Sequence, residues 1–485
     1  MSEGATLRHP DGRVELRSVE TLRGSRLFNE DLAPVPVARR TWTTWDYAAL
    51  WISMAHCLPT YTLASSMISR GMNWWQALLT ILVGNVIVLG PILLNSHPGT
   101  KYGIPYPVFA RAAYGTRGAN LPALMRALVA CGWFGIGAWI GGKALQVFLV
   151  SIFPGWSDLA GTIRGYPGTQ WISFFAFWGI NVAVIYRGME VVRRVERFAA
   201  PFVLVLTTIL LVWAISKADG LGPIMTQRGT WTEFLPVFVP AVTATIGFWS
   251  TLALNMPDFT RYGRSQREQA VGQVVALPST MTVFAAMGII ITSATVGIYG
   301  VPVWDPIELG GKFENPLIVG VAMFTIMVAM LAVNIAANVV STANDFANLF
   351  PNKIDFARGG LIAGIIGIFM MPWKLYEDPA RYINGWLVGY GGSVGSIAGV
   401  LIVDYWILRR TELDLRGLYL PDGPYHYTNG WNMPAVAATL VGTGVALLGA
   451  FWEPMRPIYD WSWFIGLGLS GTLYLALMWS RRPPR

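Results

Sequence analysis

Between Val239 and Tyr262 the chain reads VPAVTATIGFWSTLALNMPDFTRY, apolar at its start and charged at its end. Its middle, Thr245-Ile246-Gly247-Phe248-Trp249, sets a glycine beside two large aromatic rings, and Pro240 and Pro257 bracket it. Glycine, a bulky ring and flanking proline at mid-depth mark a candidate broken helix. Unwound backbone at that depth is tolerated only where it packs in protein or lines a cavity, and in transporters such breaks hold the substrate. A Pro-kinked packing helix with a core Trp has the same signature, because Gly and Pro are common in membrane helices. A second candidate break, Trp51-Ile52-Ser53-Met54-Ala55-His56-Cys57-Leu58-Pro59-Thr60, puts small, polar and Pro residues into another apolar stretch. His56 is an ionisable group inside a membrane segment, a functional candidate by default. It titrates near pH ~6.5 when unperturbed, so it can carry a coupling proton; a neutral His bonded to unwound backbone is the alternative.

The elements that must position these residues are membrane helices. Hydrophobic residues make up 54% of the 485, charged ones only 13%, and the mean hydropathy is +0.47; a soluble domain averages about 25% charged. The 22 Trp suit interfacial aromatic belts. The net charge of +8 sits in tails and short loops, which reads as topology and not as nucleic-acid binding. Cys57 and Cys131 both fall in apolar segments, and the four His are scattered, so neither a disulfide framework nor a metal site is expected. Residues 1–42 are polar and Arg-rich without an apolar signal-peptide core; they are expected to form a mostly mobile cytoplasmic tail.

Spans of roughly 20 apolar residues cross a bilayer. Twelve such runs are expected, near 43–69, 73–96, 120–152, 168–187, 189–216, 234–257, 267–297, 315–348, 358–373, 380–408, 433–452 and 461–480. With the N-terminus inside, the inner loops and C-terminal tail hold eighteen Lys and Arg and the outer loops eight. That bias puts both termini in the cytoplasm of a multi-pass protein of the plasma (inner) membrane. Segments 1 and 6 carry the candidate breaks and lie five apart, the pattern of a five-plus-five inverted repeat with substrate between the breaks. The expected division is a tail (1–42), a core of ten helices (43–408) and two peripheral helices with a short tail (409–485).

Seven stretches, in order, resemble the nucleobase:cation symporter-1 family, which includes bacterial hydantoin, allantoin and uracil permeases. They are Asn29-Glu30-Asp31-Leu32-Ala33-Pro34 with Arg40-Thr41-Trp42, GMNWWQALLTILVGN (71–85), KYGIPYPVFARAAYG (101–115), RALVACGWFGI (126–136), LNMPDFTRYGRSQ (254–266), NIAANVVSTANDFANLFP (334–351) and GSIAGVLIVDYWILRR (395–410). The resemblance implies an all-α, leucine-transporter-like core with broken helices 1 and 6.

It also implies a site. The residues matching Trp133 on segment 3 and Trp249 on segment 6 cover the two faces of a planar heterocycle in the family. Offset aromatic stacking contributes about 0.5–1.5 kcal/mol per pair beyond area burial. Asn338 on segment 8 offers a carbonyl and an NH₂ to a ligand edge. Gly137 stands where the hydantoin transporter's pattern has Gln, so the ligand is expected to be larger or to bond backbone at Gly247–Phe248. Sodium-coupled members place hydroxyls where this chain has Ala332 and Val333. The oxygens left, carbonyls near Ser53, His56 and Ala329 plus the Ser53 hydroxyl, are too few for a hard cation. Coupling to protons, or none, is therefore expected. The family's segment 10 folds over the ligand as a thin gate, with Leu387 or Tyr390 as the lid; its many glycines could instead serve close helix packing. Lys143, ten residues after Trp133 and so about 15 Å further along a helix, is expected to snorkel at the outer face. Asp404 and Asp258 are expected to pair with Arg409 and Arg261, and Asn85, Asn181 and Asn255 to bond between helices.

Together these readings describe a secondary transporter importing a nucleobase or related ureide of the uracil, cytosine, allantoin and hydantoin class by alternating access. It would work as a monomer with a small-molecule substrate and no cofactor. An amino-acid or amine transporter of the same fold is the alternative, though that would want a charged partner for the ligand. A membrane-embedded enzyme would need a nucleophile–base pair or metal ligands at mid-depth, and neither these nor a GxxxxGK[ST] loop is present in the sequence.

Overall fold

The computed structural model describes residues 5–375 and 387–481. A short hairpin of β1 (Thr6–Arg8) and β2 (Val14–Leu16) leads into the helices. In chain order these are α1 (Thr44–Ala55), α2 (Leu58–Ser69), α3 (Trp74–Tyr102), α4 (Tyr106–Tyr114), α5 (Asn120–Ile152), α6 (Gly168–Ile185) and α7 (Met189–Lys217). Then come α8 (Trp231–Ser250), α9 (Leu252–Asn255), α10 (Pro257–Thr260), α11 (Gln266–Tyr299), α12 (Pro306–Gly311) and α13 (Pro316–Val333). A π-helical stretch, Asn334–Val340, joins α13 to α14 (Ser341–Leu349), followed by α15 (Phe356–Phe369) and α16 (Pro372–Leu375). The last described elements include α17 (Val388–Ile402), α18 (Met433–Ala446), α19 (Leu448–Phe451), α20 (Arg456–Asp460) and α21 (Ser462–Met478).

Among the described residues seven helices are long and apolar enough to cross a membrane, and two bent helix pairs raise the number to nine. The other three expected spans are shorter: α1 and α2 have 12 residues each, and α15 and α18 have 14 each. The start of the expected span 380–408 lies outside the described residues.

The candidate break in segment 1 interrupts helix where expected, whereas the one in segment 6 is displaced. The capping box of Thr43 and Asp46 opens α1. It ends at Ala55, since His56 (φ −84°, ψ 79°) and Cys57 (φ −140°, ψ 157°) leave helical geometry. Pro59 then occupies the first turn of α2, where its missing N–H costs nothing. Thr60 Oγ1 donates to the Ala55 carbonyl at 2.8 Å and satisfies a group orphaned by the break. In segment 6, by contrast, Thr245–Trp249 stays helical within α8. The axis turns by 43° after Ser250, at Thr251. Gly247 serves packing: a Cβ there would stand 2.6 Å from the Leu387 carbonyl oxygen.

Residues 5–42 are not the mobile tail expected. Val14, Leu16, Leu22, Phe28 and Leu32 are buried in a core shared with Tyr102, Tyr405 and Tyr419. Arg40, 2% exposed, donates to the carbonyls of Val35 (2.8 Å), Thr100 (3.0 Å) and Val14 (2.9 Å). Arg40 thereby ties this segment to the end of α3. Adjoining the same core, α21 packs along α17 through small residues. A Cβ on Gly399 would meet the Leu467 carbonyl at 2.2 Å, and Ser470 donates to the Ser396 carbonyl at 2.7 Å. This is the close-packing use of the segment 10 glycines, of which Gly385 lies among the residues not described.

Candidate functional site

Three irregular pieces of backbone converge on one cleft. The α1–α2 break contributes Cys57 and Pro59, the α8–α9 break contributes Thr251 and Leu252, and the π-helix contributes Asn334, Ala337 and Asn338. Trp133, Ile136 and Gly137 of α5 and Phe248 and Trp249 of α8 complete most of the wall. A π-bulge widens a helix and re-aims its side chains, which is why such stretches recur at functional sites. No charged side chain among the described residues lines the cleft.

The rings are held by one another. Trp133 and Phe248 meet edge to face with centroids 5.4 Å apart, Phe248 and Trp249 at 4.8 Å, and Trp249 and Trp51 at 5.2 Å. Trp249 Nε1 is buried without a hydrogen-bond partner. Trp133 Nε1 donates to Tyr390 Oη at 3.2 Å, and Tyr390 Oη donates to the Gly247 carbonyl at 2.9 Å. Tyr390, one of the two gate candidates, thus bridges α5 and α8. Leu387 is fully buried and places its backbone against Gly247. The Gly247 carbonyl also accepts from Ser250 Oγ at 2.9 Å. It is therefore occupied, and Gly247 is absent from the wall, which corrects the expected backbone contact to a ligand at that residue.

The polar edge is an amide relay, of which the sequence pointed to Asn338 as a ligand contact and to Asn181 only as an interhelical bond. Asn181 Nδ2 donates to the Phe177 carbonyl at 2.8 Å. Asn334 Nδ2 donates to Asn181 Oδ1 (3.1 Å) and to the Phe134 carbonyl (3.2 Å), and Asn338 Nδ2 donates to Asn334 Oδ1 (2.9 Å). Amide orientations are ordinarily assigned from such networks. Here two ends are backbone carbonyls, which can only accept, so every amide in the relay has one orientation. Asn338 Oδ1 is left for the cleft. Gly137 makes room for the relay: a Cβ there would lie 2.9 Å from Asn334 Oδ1. Below it, the fully buried Arg126 donates to the Ala337 carbonyl (2.8 Å), Thr342 Oγ1 (2.8 Å) and Asn255 Oδ1 (3.3 Å), pinning the π-helix to α5 and α9.

The coupling candidates stand apart from the wall. Ala329 is buried in α13 and does not line the cleft, whereas Val333 does. His56 Nε2 faces Thr207 Oγ1 at 2.5 Å and Tyr61 Oη at 3.3 Å, and its Nδ1 has no partner. The Ser53 hydroxyl contacts the Leu50 carbonyl (3.1 Å) and the carboxyl of Glu196 on α7, a residue the sequence reading did not single out. Elsewhere, Lys143 forms an ion pair with Asp305 at 2.9 Å instead of simply snorkelling. Asp404 pairs with Arg409 at 2.7 Å as expected. Asp258 does not pair with Arg261: its Oδ1 accepts from the Tyr106 amide and from Asn344 Nδ2. Asn181 and Asn255 bond between helices, but Asn85 bonds back to Ile81 of its own helix.

Comparison with known proteins agrees with this geometry. Residues 34–466 match the family model described as permease for cytosine/purines, uracil, thiamine, allantoin. The chain is 40% identical over 461 residues to an allantoin permease of Bacillus subtilis, covering 94% of each. It is 37% identical to a purine-uracil permease of Arabidopsis thaliana, over 93% of this chain and 78% of that one. In fold it is similar to Mhp1, a nucleobase-cation-symport-1 family transporter solved in a closed conformation with bromovinylhydantoin bound (TM-score 0.79, 24% identity, 94% and 96% covered). By the extent of the match, and with helices long enough for a multi-pass membrane protein, this chain belongs to the cytosine/purine, uracil, thiamine and allantoin permease family.

Proposed function

We propose that the protein is a secondary transporter that imports a neutral, planar nucleobase or ureide of the allantoin, uracil, cytosine and hydantoin class. One observation carries the reading: an uncharged cleft walled by Trp133, Phe248 and Trp249, with an oriented amide edge at Asn338, sits where three helix irregularities meet. Flat rings with amide-like edges offer π faces to such walls and N–H/C=O groups to such an edge. An amino acid or amine would bury its charge in this cleft without a partner, which is costly. In this reading twelve segments cross the membrane with both termini cytoplasmic, helices 1–10 form a five-plus-five inverted repeat, and Leu387 and Tyr390 close over the ligand. One chain suffices. Transport does not draw on sodium, because Ala332 and Val333 supply no hydroxyl to a cation site. The test is uptake of radiolabelled allantoin, uracil, cytosine and hydantoin into proteoliposomes, with and without Na⁺ and a pH gradient. Saturable uptake of at least one is expected; uptake of none, with folded protein, sinks the reading.

A further inference from the structure

We infer that Glu196, paired with Ser53 at the end of α1, is a proton-binding site and carries the coupling ion of transport. The inference rests on the transporter reading above for its consequence, but not for the site itself.

Glu196 is 2% exposed, in a helix that packs against α1, α6, α11, α13 and the π-helix. No Lys, Arg or His among the described residues lies within ion-pair distance of its carboxyl group. The groups that could have faced it are engaged elsewhere. On its own helix, Arg193 and Arg197 hold Asp46 of α1 at 2.7 and 2.6 Å, Arg194 pairs with Glu190, and Lys217 lies at the far end. On α1, besides Asp46, only Tyr47 titrates, and after the break His56 meets Thr207 and Tyr61. On α11, Glu268 accepts from Thr44, Arg267 is exposed, and Tyr299 is the last residue. Neither α6, α13 nor the π-helix carries a titratable side chain.

The local hydrogen bonds satisfy the acid better than its anion. Ser53 has one hydroxyl hydrogen and two oxygen neighbours, the Leu50 carbonyl and Glu196 Oε2. A backbone carbonyl can only accept. If the serine donates to Leu50, the contact to Glu196 requires the carboxyl group to supply the proton. The other carboxyl oxygen, Oε1, has no partner at all. A carboxylate in this place would be a buried charge with at most one hydrogen bond, whereas a carboxylic acid leaves one neutral acceptor unmatched. A cation such as Na⁺ is a poorer fit, since hard cations take a shell of oxygens and only the Ser53 hydroxyl reaches this carboxyl group.

The site is also placed to matter. Ser53 is three residues before His56, where α1 ends, and Cys57 and Pro59 beyond the break line the cleft. Losing the proton leaves a carboxylate whose one hydrogen bond comes from Ser53, turned away from the Leu50 carbonyl, and that buried charge favours admitting water between α1 and α7. Proton and substrate then stabilise the same position of the break, and by linkage each tightens the other.

Two measurements on the full chain test this. Infrared difference spectra of wild type against Glu196→Gln at neutral pH should show a protonated-carboxyl C=O band missing from the variant; its presence in both spectra overturns the proton site whatever the substrate proves to be. In proteoliposomes loaded with the compound from the panel above that wild type takes up, Glu196→Gln should keep substrate exchange but lose pH-driven accumulation, so that the inside-to-outside ratio falls to about 1. Accumulation equal to wild type overturns the coupling role, as does a sodium-driven gradient that the variant abolishes. Glu196→Asp, which keeps the acid, should restore part of the pH-driven uptake and guards against a merely structural loss.

Discussion

The cleft and the α1–α7 seam lie on either side of the same helix break and have opposite chemistry. The cleft is built from rings and amides with no charged group among its described wall residues, and its polar members are oriented by one another. The seam gathers titratable groups: Asp46 held by two arginines, then Glu196 on Ser53, then His56 on Thr207. Recognition of a neutral ligand is best served by fixed, uncharged complementarity, where unpaired charge would cost affinity. Energy coupling needs a group whose charge state can change. Keeping the two apart lets each be optimised, with the two non-helical residues His56 and Cys57 as the mechanical joint between them.

That division predicts that cleft substitutions change affinity and seam substitutions change coupling. The largest effect is expected for Trp133→Ala and Trp249→Ala. Truncating a buried aromatic anchor costs about 2–4 kcal/mol of binding, which weakens it by about thirty- to a thousandfold. Trp133→Phe should retain part. A thermal-stability measurement separates lost contact from lost fold, especially at Trp249, which also packs on Trp51. If either alanine variant binds like wild type, that ring is not part of the site. In both variants the infrared signature of the Glu196 carboxyl group should persist, and its disappearance would break the proposed separation.

Asn338→Ala should follow, weakening binding by about ten- to a hundredfold, the cost of roughly 1–3 kcal/mol for an unpaired buried polar group. Unchanged affinity in an equilibrium binding assay would move the polar contact elsewhere. Asn181→Ala leaves Asn338 in place but removes one of the two acceptors that hold Asn334, leaving only the Phe134 carbonyl. A loss of about 1 kcal/mol, several-fold in affinity, is expected, with discrimination between members of the ligand panel falling more than affinity for the best one. Equal losses for every ligand would make Asn181 a packing residue only. The smallest effect, none, is expected on replacing Na⁺ by choline at fixed pH; several-fold tighter binding on adding millimolar Na⁺ would contradict the reading of Ala332 and Val333.

The two regions also differ in how far the sequence reveals them. Trp133, Trp249 and Asn338 stand in stretches that resemble a known family, and an aromatic or amide in an apolar helix has few solvated roles to play. Glu196 stands among Arg193, Arg194 and Arg197, where it looks like one more charge of a polar loop. Its burial comes from α1 packing against α7, a tertiary contact with no local signal. The α1 break was legible because Pro59 and a polar run coincide with it. At α8 the glycine was a false guide: helix continues through Gly247 because it admits the Leu387 backbone, and the turn falls at Thr251. The π-helix has no composition of its own, so the relay that links Asn181 through Asn334 to Asn338 emerges only once α5, α6 and α13 are seen together.

The fixed orientation of the amide relay has a consequence for what the cleft can tell apart. Asn338 presents a bare oxygen to the ligand, and it cannot turn over without stranding the donors and acceptors behind it. A lactam nitrogen, bearing hydrogen, meets that oxygen as a partner. The lactim tautomer of the same molecule, or its N-deprotonated anion, meets it lone pair to lone pair. If Asn338 meets the ligand as proposed, the site filters by where a ligand keeps its hydrogen as well as by ring shape, and alkylating that single nitrogen should exclude a compound whose outline still fits between the tryptophans.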